Sequence, residues 1–172
     1  MKKGDLSKIV CYDYPFYSKY SFIIEKEIET EIIIKNQYCQ IRFNMSIRDF
    51  DVFCYLKRVN GNMWIHLSHL FEKIDENYDA LIESGIASYS IEDLFRKKIE
   101  NYCMLIELLL ADVLIGDMKL IIELEEYFDY SKRASEIIFR KLPESTGFII
   151  PKISEHNWRQ LFNNFFEQQI IE

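Results

Sequence analysis

The chain has 172 residues and a formal net charge of −7, enough length for one domain with its own hydrophobic core. Its residues are 49% hydrophobic and 28% charged, a globular balance that excludes a disordered or low-complexity chain. The charge is uneven: residues 1–67 carry 10 Lys and Arg against 8 Asp and Glu, and residues 68–172 carry 11 against 20. An acidic excess of that kind repels phosphate backbones, so direct nucleic-acid binding is not expected.

Met1-Lys2-Lys3 is basic, but no apolar run follows it, so no secretory leader is read there. Segments 7–14 (SKIVCYDY), 20–27 (YSFIIEKE) and 28–34 (IETEIII) offer two or three strands, with Pro15 separating the first from the second. Residues 16–28 are also compatible with a helical turn. The clearest strand is 39–47 (CQIRFNMSI), in which Cys39, Ile41, Phe43, Met45 and Ile47 alternate with polar residues. That period of two predicts one buried and one wet face. Residues 51–59 (DVFCYLKRV) follow, then Asn60-Gly61, the pair that suits the two positive-φ positions of a type I′ turn. Met63–Leu67 should therefore return as the second strand of a hairpin.

From Ser68 the period lengthens. Leu67, Leu70, Phe71, Ile74, Tyr78, Leu81 and Ile82 recur at three and four, with Ser68 as the expected N-cap and Gly85 as the C-terminal stop. Ser90-Ile91-Glu92-Asp93 resembles a capping box with Asp in place of Glu. It should open a helix running to about Ile115, with Phe95, Ile99, Tyr102, Ile106, Leu109, Leu110 and Val113 inward and Gly116 at its end. Residues 99–116 are the most apolar stretch, but they carry Glu100, Glu107 and Asp112 and are too short to span a membrane. Residues 118–128 and 131–142 read as two further helices, the second stopped by Pro143. Phe148–Ile150 reads as a short strand or a tucked apolar segment. A last helix should start at Ser154, with Trp158, Leu161, Phe162, Phe165 and Phe166 as its stripe. The order predicts an α+β fold: an N-terminal antiparallel sheet of about five to six strands, then about five α-helices packed on one face. Residues 1–172 should form a single domain, with 1–67 mainly the β layer and 68–172 mainly the α layer.

Little of the chemistry-bearing sequence forms a pattern. Cys11, Cys39, Cys54 and Cys103 are far apart and make no C-x-x-C pair, so they are expected to be reduced, mostly buried thiols of a cytoplasmic protein. His66 and His69 are spaced H-x-x-H, a metal pair if both lie on one helix. On a wheel of about 100° per residue, however, both fall off the apolar stripe with Lys73 between them. If residues 63–67 are instead a strand, the two histidines belong to different elements. No third ligand is implied, although His156 and Glu72 are available. No G-x-S-x-G occurs, and glycines 4, 61, 85, 116 and 147 never cluster into a phosphate loop. No catalytic residue, metal or cofactor is expected on these grounds.

Two surface features remain. Glu72, Asp75, Glu76, Asp79 and Glu83 lie mostly opposite the apolar stripe of their helix, and Glu123, Glu125, Glu126 and Asp129 form a second acidic group. Either set is a solvated face or a docking surface for a basic protein, whose approach such charge would steer. The N-terminal aromatics Tyr12, Tyr14, Phe16, Tyr17, Tyr20 and Phe22 suit sheet-edge and core packing or a recognition surface. The leading expectation is a small cytoplasmic protein-binding module, inhibitory by occlusion, of the kind bacterial immunity proteins exemplify. Its partner would be a basic protein such as a cognate toxin, docking on Glu72, Asp75, Glu76, Asp79, Glu83, Glu125, Glu126 and Asp129, with neither nucleic acid nor membrane involved. The alternative is an enzyme or small-ligand binder with a histidine-containing pocket between sheet and helices.

Overall fold

The computed structural model describes residues 4–74, 78–83 and 90–141, of which 78–79 and 133–141 are described as backbone only. The chain divides into two compact units, Met1–Ile121 and Ile122–Glu172. The first holds a five-stranded antiparallel sheet and most of the described helices, an α+β architecture. The expected Gly85 and Pro143 stops, the 148–150 segment and the helix after Ser154 lie outside the described residues.

Segment 7–14, expected as a strand, is helical. α1 (Asp5–Ser7) runs into a π-helical turn, Lys8–Tyr12, closed by Asp13 N–H donating to Lys8 O at 3.2 Å. Leu6, Ile9 and Val10 are all buried, and their i, i+3, i+4 spacing is helical. The wider π turn also carries Cys11 into the core, giving three consecutive buried residues that a half-exposed strand cannot accommodate. Glu27, twenty residues on, tethers this start: its Oε1 accepts from Gly4 N (3.1 Å) and Ser7 N (3.2 Å). After Pro15 comes the helical turn α2 (Phe16–Lys19), the alternative allowed for residues 16–28.

Among the described residues the strands are β1 (Ile23–Ile28), β2 (Glu31–Lys35), β3 (Cys39–Ser46), β4 (Asp51–Arg58) and β5 (Ile65–His66), each hydrogen-bonded there only to its neighbours in sequence. Ile32, Ile34, Ile41, Phe43, Met45, Val52, Cys54, Leu56 and Ile65 are buried and form the core face. The period-two alternation of β3 is thus realised. Ile47, expected on the same face, is 63% exposed. Ser46 and Asp49 bond each other through side chains (2.7 Å) and backbone (3.3 Å), turning the chain out of the sheet one residue earlier. β1, at the sheet edge, carries a bulge between Ile24 and Lys26.

Asn60-Gly61 does not make a type I′ turn, since neither residue has a positive φ. The register Tyr55↔His66 and Leu56↔Ile65 leaves residues 57–64 outside the β4–β5 ladder, too many for a two-residue hairpin. Instead Gly61 N donates to Arg58 O (3.0 Å), and Val59 N donates to Tyr38 O (2.9 Å), holding this end of β4 to the β2–β3 turn.

Asn36 organises that turn. Its Oδ1 accepts from the N–H groups of Tyr38 (2.8 Å) and Cys39 (2.9 Å). Its Nδ2 donates to Leu114 O (3.0 Å) and Tyr20 O (3.3 Å). One buried amide thus joins the sheet to two helical segments.

α3 (Leu67–Ile74) buries Leu67, Leu70 and Phe71, but Ile74, expected in the stripe, is exposed. α4 (Tyr78–Ile82) buries Ile82. α5 (Ile91–Leu109) opens as expected: Ser90 Oγ accepts from Asp93 N (3.1 Å) and donates to its carboxylate (2.7 Å). It packs over β4 and the π turn with Phe95, Ile99, Tyr102, Cys103 and Ile106 buried. It stops at Leu109 rather than Ile115. A separate turn, α6 (Ala111–Leu114), follows, and Gly116 then takes φ +111, a conformation L side chains rarely adopt. α7 (Lys119–Lys141) is one helix where two were expected; Asp129-Tyr130-Ser131 does not interrupt it. Among the described residues no helix is long and apolar enough to cross a membrane.

Candidate functional site

The WIHLSHL stretch, residues 64–70, is a junction. His66 ends β5 and α3 begins at Leu67, so the two histidines stand on different elements, as the strand reading of residues 63–67 implies. The cap is not Ser68. His66 occupies the N-cap position, and its Nδ1 accepts from Ser68 N–H at 3.3 Å, with Ser68 Oγ 2.5 Å from the same atom. An imidazole nitrogen that accepts from a backbone N–H is unprotonated, so the neutral ring carries its proton on Nε2. Nε2 is buried without a hydrogen-bond partner among the described residues. Burial, then the adjacent His69, hold His66 below the ordinary value of 6.5, and Asp51 opposes them weakly. Its ring stands edge-on to Tyr55 (5.1 Å), Phe53 (6.0 Å) and His69 (6.4 Å). Among the described residues no three His, Cys, Asp or Glu side chains are placed to hold a metal ion.

The register puts His66 on the sheet face opposite the core. Arg42 pairs with Tyr55 and Tyr55 with His66, while their neighbours Ile41, Cys54 and Ile65 point into the core. The Arg42 guanidinium carbon lies 4.4 Å from the Tyr55 ring centroid and 4.7 Å from that of Trp64, and Lys57 Nζ is 5.0 Å from Trp64. Sequence reasoning missed this cluster. Alternation alone assigns Arg42, Tyr55 and Lys57 to outward positions, but the pairing register decides that they meet.

The acidic residues divide. Glu72 is exposed on α3, and Glu83, just after α4, is 58% exposed at its side chain. Lys98, only 10% exposed, bridges Glu83 and Asp51 at 2.8 Å each. Burial opposes its charge, but those two bonds outweigh burial and raise its pKa. The Glu83 charge is therefore partly countered within the fold. Asp79 lies on α4, described there as backbone, and Asp75 and Glu76 fall outside the described residues. Glu123 and Glu126 are exposed on α7 in the second unit, where Glu125 and Asp129 are half-buried.

The other candidates are mostly absorbed into packing. All four cysteines are buried and none is disulfide-bonded. Burial pushes Cys11 and Cys39 up to about 12, and Cys54 and Cys103 well above their ordinary value. Phe16 and Phe22 are buried and meet edge to face at 5.8 Å, whereas Tyr12 is exposed. The geometry thus leaves two kinds of surface with chemistry to offer, exposed carboxylates on helices and stacked cations on the sheet. Comparison with known proteins identified no matching family model, curated protein or solved structure.

Proposed function

We propose that this chain is a small protein-binding module that inhibits a basic toxin or effector domain by covering it, in the manner of an immunity protein. The observation that carries the reading is the way the side chains are committed. The thiols are buried and held protonated, and one nitrogen of His66 is spent as a helix cap, while Glu72, Glu83 and Glu126 face solvent. Exposed carboxylates steer a cationic partner and set the speed of encounter more than the final affinity. Asp75, Glu76 and Asp79 extend the acidic set in sequence next to Glu72, and Glu125 and Asp129 do so beside Glu126.

The test starts with the partner captured from the native cell and identified. Its association rate is then measured against ionic strength for the parent and for Glu72→Lys/Glu76→Lys and Glu125→Lys/Glu126→Lys. Charge reversal on the docking face should slow association about tenfold or more at low salt and flatten its salt dependence. Rates indifferent to both pairs would remove the acidic surface from the proposal.

A further inference from the structure

We infer that the sheet face opposite the core, centred on Arg42, Lys57, Tyr55 and Trp64, is a second interaction surface that receives a carboxylate-bearing segment of a partner protein. This does not rest on the acidic-face reading and has the opposite polarity. It starts from how the sheet's cations are paired. Lys26 and Lys35, on β1 and β2, reach Glu31 (2.7 Å) and Glu25 (3.6 Å). Arg42 and Lys57, on β3 and β4, have no ion-pair partner among the described residues and lie on aromatic rings instead. Glu31, the acid whose ionisation Arg42 favours, is already bonded by Lys26 and Asn44. In a chain with an excess of acids, two cations without carboxylates side by side require a physical reason.

Stacking supplies it. Tyr55 and Trp64 both contact the Arg42 guanidinium, and a guanidinium held by rings loses little entropy when its in-plane N–H groups are used. Those groups match the two oxygens of a carboxylate. Arg42 Nε is buried with no hydrogen-bond partner among the described residues, so the half-exposed remainder of the side chain is what an incoming carboxylate meets first. Lys57, above the same Trp64, adds a second charge one row along the sheet, since it pairs with Gln40 as Arg42 pairs with Tyr55. A row of ring, cation and indole half-exposed on a sheet suits an extended acidic segment. A nucleic-acid strand needs a track of cations along its backbone; among the described residues Arg42 and Lys57 are the unpaired cations of this face, and they stand side by side.

The test uses the full chain, nitrogen-15 labelled, with Trp158→Phe so that the remaining indole signal is Trp64. The probes are capped hexaglutamate, capped hexalysine and a six-nucleotide oligothymidylate. Hexaglutamate should shift the Arg42 Nε–H and Trp64 indole signals saturably, and hexalysine should not. Arg42→Gln/Lys57→Gln should weaken that binding about tenfold or more. If that double variant loses its native spectrum, Lys57→Gln alone, which leaves the Arg42 stack in place, should weaken it about threefold. Absence of saturable shifts up to about 10 mM peptide, unchanged affinity in the folded variants, or tighter binding of oligothymidylate than of hexaglutamate would overturn the inference.

Discussion

Removing the Asn36 amide tests whether one side chain holds the β2–β3 turn to the helices. Asn36 is 8% exposed and makes four hydrogen bonds, to Tyr38 N, Cys39 N, Leu114 O and Tyr20 O. Asn36→Ala deletes all four and strands two N–H groups, and at about 1 kcal/mol per bond the loss is about 3–4 kcal/mol. With an m-value of about 2 kcal/mol/M, the urea midpoint should fall by about 1.5–2 M. Unfolding is followed by Trp64 fluorescence in a Trp158→Phe background, so that the first unit is reported. Asn36→Asp separates the two halves of the amide. It keeps the oxygen that accepts from Tyr38 N and Cys39 N but sets a carboxylate against the carbonyls of Leu114 and Tyr20. The N–H groups of Tyr38 and Cys39 favour the carboxylate, but burial and the two facing carbonyls, to one of which a protonated carboxyl can donate, outweigh them and raise the folded pKa of the introduced carboxyl above about 3.9, its unfolded value. The unfolded state then binds fewer protons than the folded state between those values, so this variant should gain stability as pH falls. A midpoint shift below about 0.3 M for Asn36→Ala, or an Asn36→Asp variant that gains nothing on acidification, would refute the role assigned to the amide.

Two further outcomes follow from the buried titratable groups. The folded pKa of His66 lies below 6.5, its ordinary value, so its contribution is complete above that pH and declines as pH falls toward the folded pKa. His66→Asn, which keeps a capping oxygen, should abolish that slope in urea midpoints measured between about pH 5 and 7.5; an unchanged slope would reassign it to another group. The four cysteines are buried and their thiols held protonated. Ellman's reagent at about pH 8 should therefore report under one reactive thiol in the native protein and four after denaturation.

Features set by residues within one turn of each other were legible in the sequence. Ser90 and Asp93 are three apart, and the cap they form depends on little else. The alternation along β3 is likewise local. Features decided by distant partners were not. Asn60-Gly61 has the right local preference for a hairpin, but the register of Tyr55 with His66 demands a longer loop. Segment 7–14 has strand-forming residues, yet Glu27 caps it from β1 as helix. The spacing of His66 to His69 suggests a ligand pair, while the partner of His66 in the fold, Ser68, is two residues away at the strand–helix corner. The Arg42–Tyr55–Trp64 stack needed β3 and β4 in register and the loop after β4 to bring Trp64 back to them. Of the acidic residues, Glu72, Glu83 and Glu126 are exposed, but the bridge from Lys98 to Glu83 depends on how α5 lies beside α4.

The strict order of the sheet, each strand beside its sequence neighbour, bears on how the chain leaves the ribosome. Pairings of short sequence separation close small loops and form early. All five strands have emerged once His66 is out, yet α5, which covers part of the core face, begins only at Ile91. During that interval Val52, Cys54 and Leu56 on β4 lack their α5 cover, an aggregation hazard of partly made domains. The bulge in β1, with Glu25 at its centre, blunts the first edge to appear and discourages a second nascent chain from adding to the sheet.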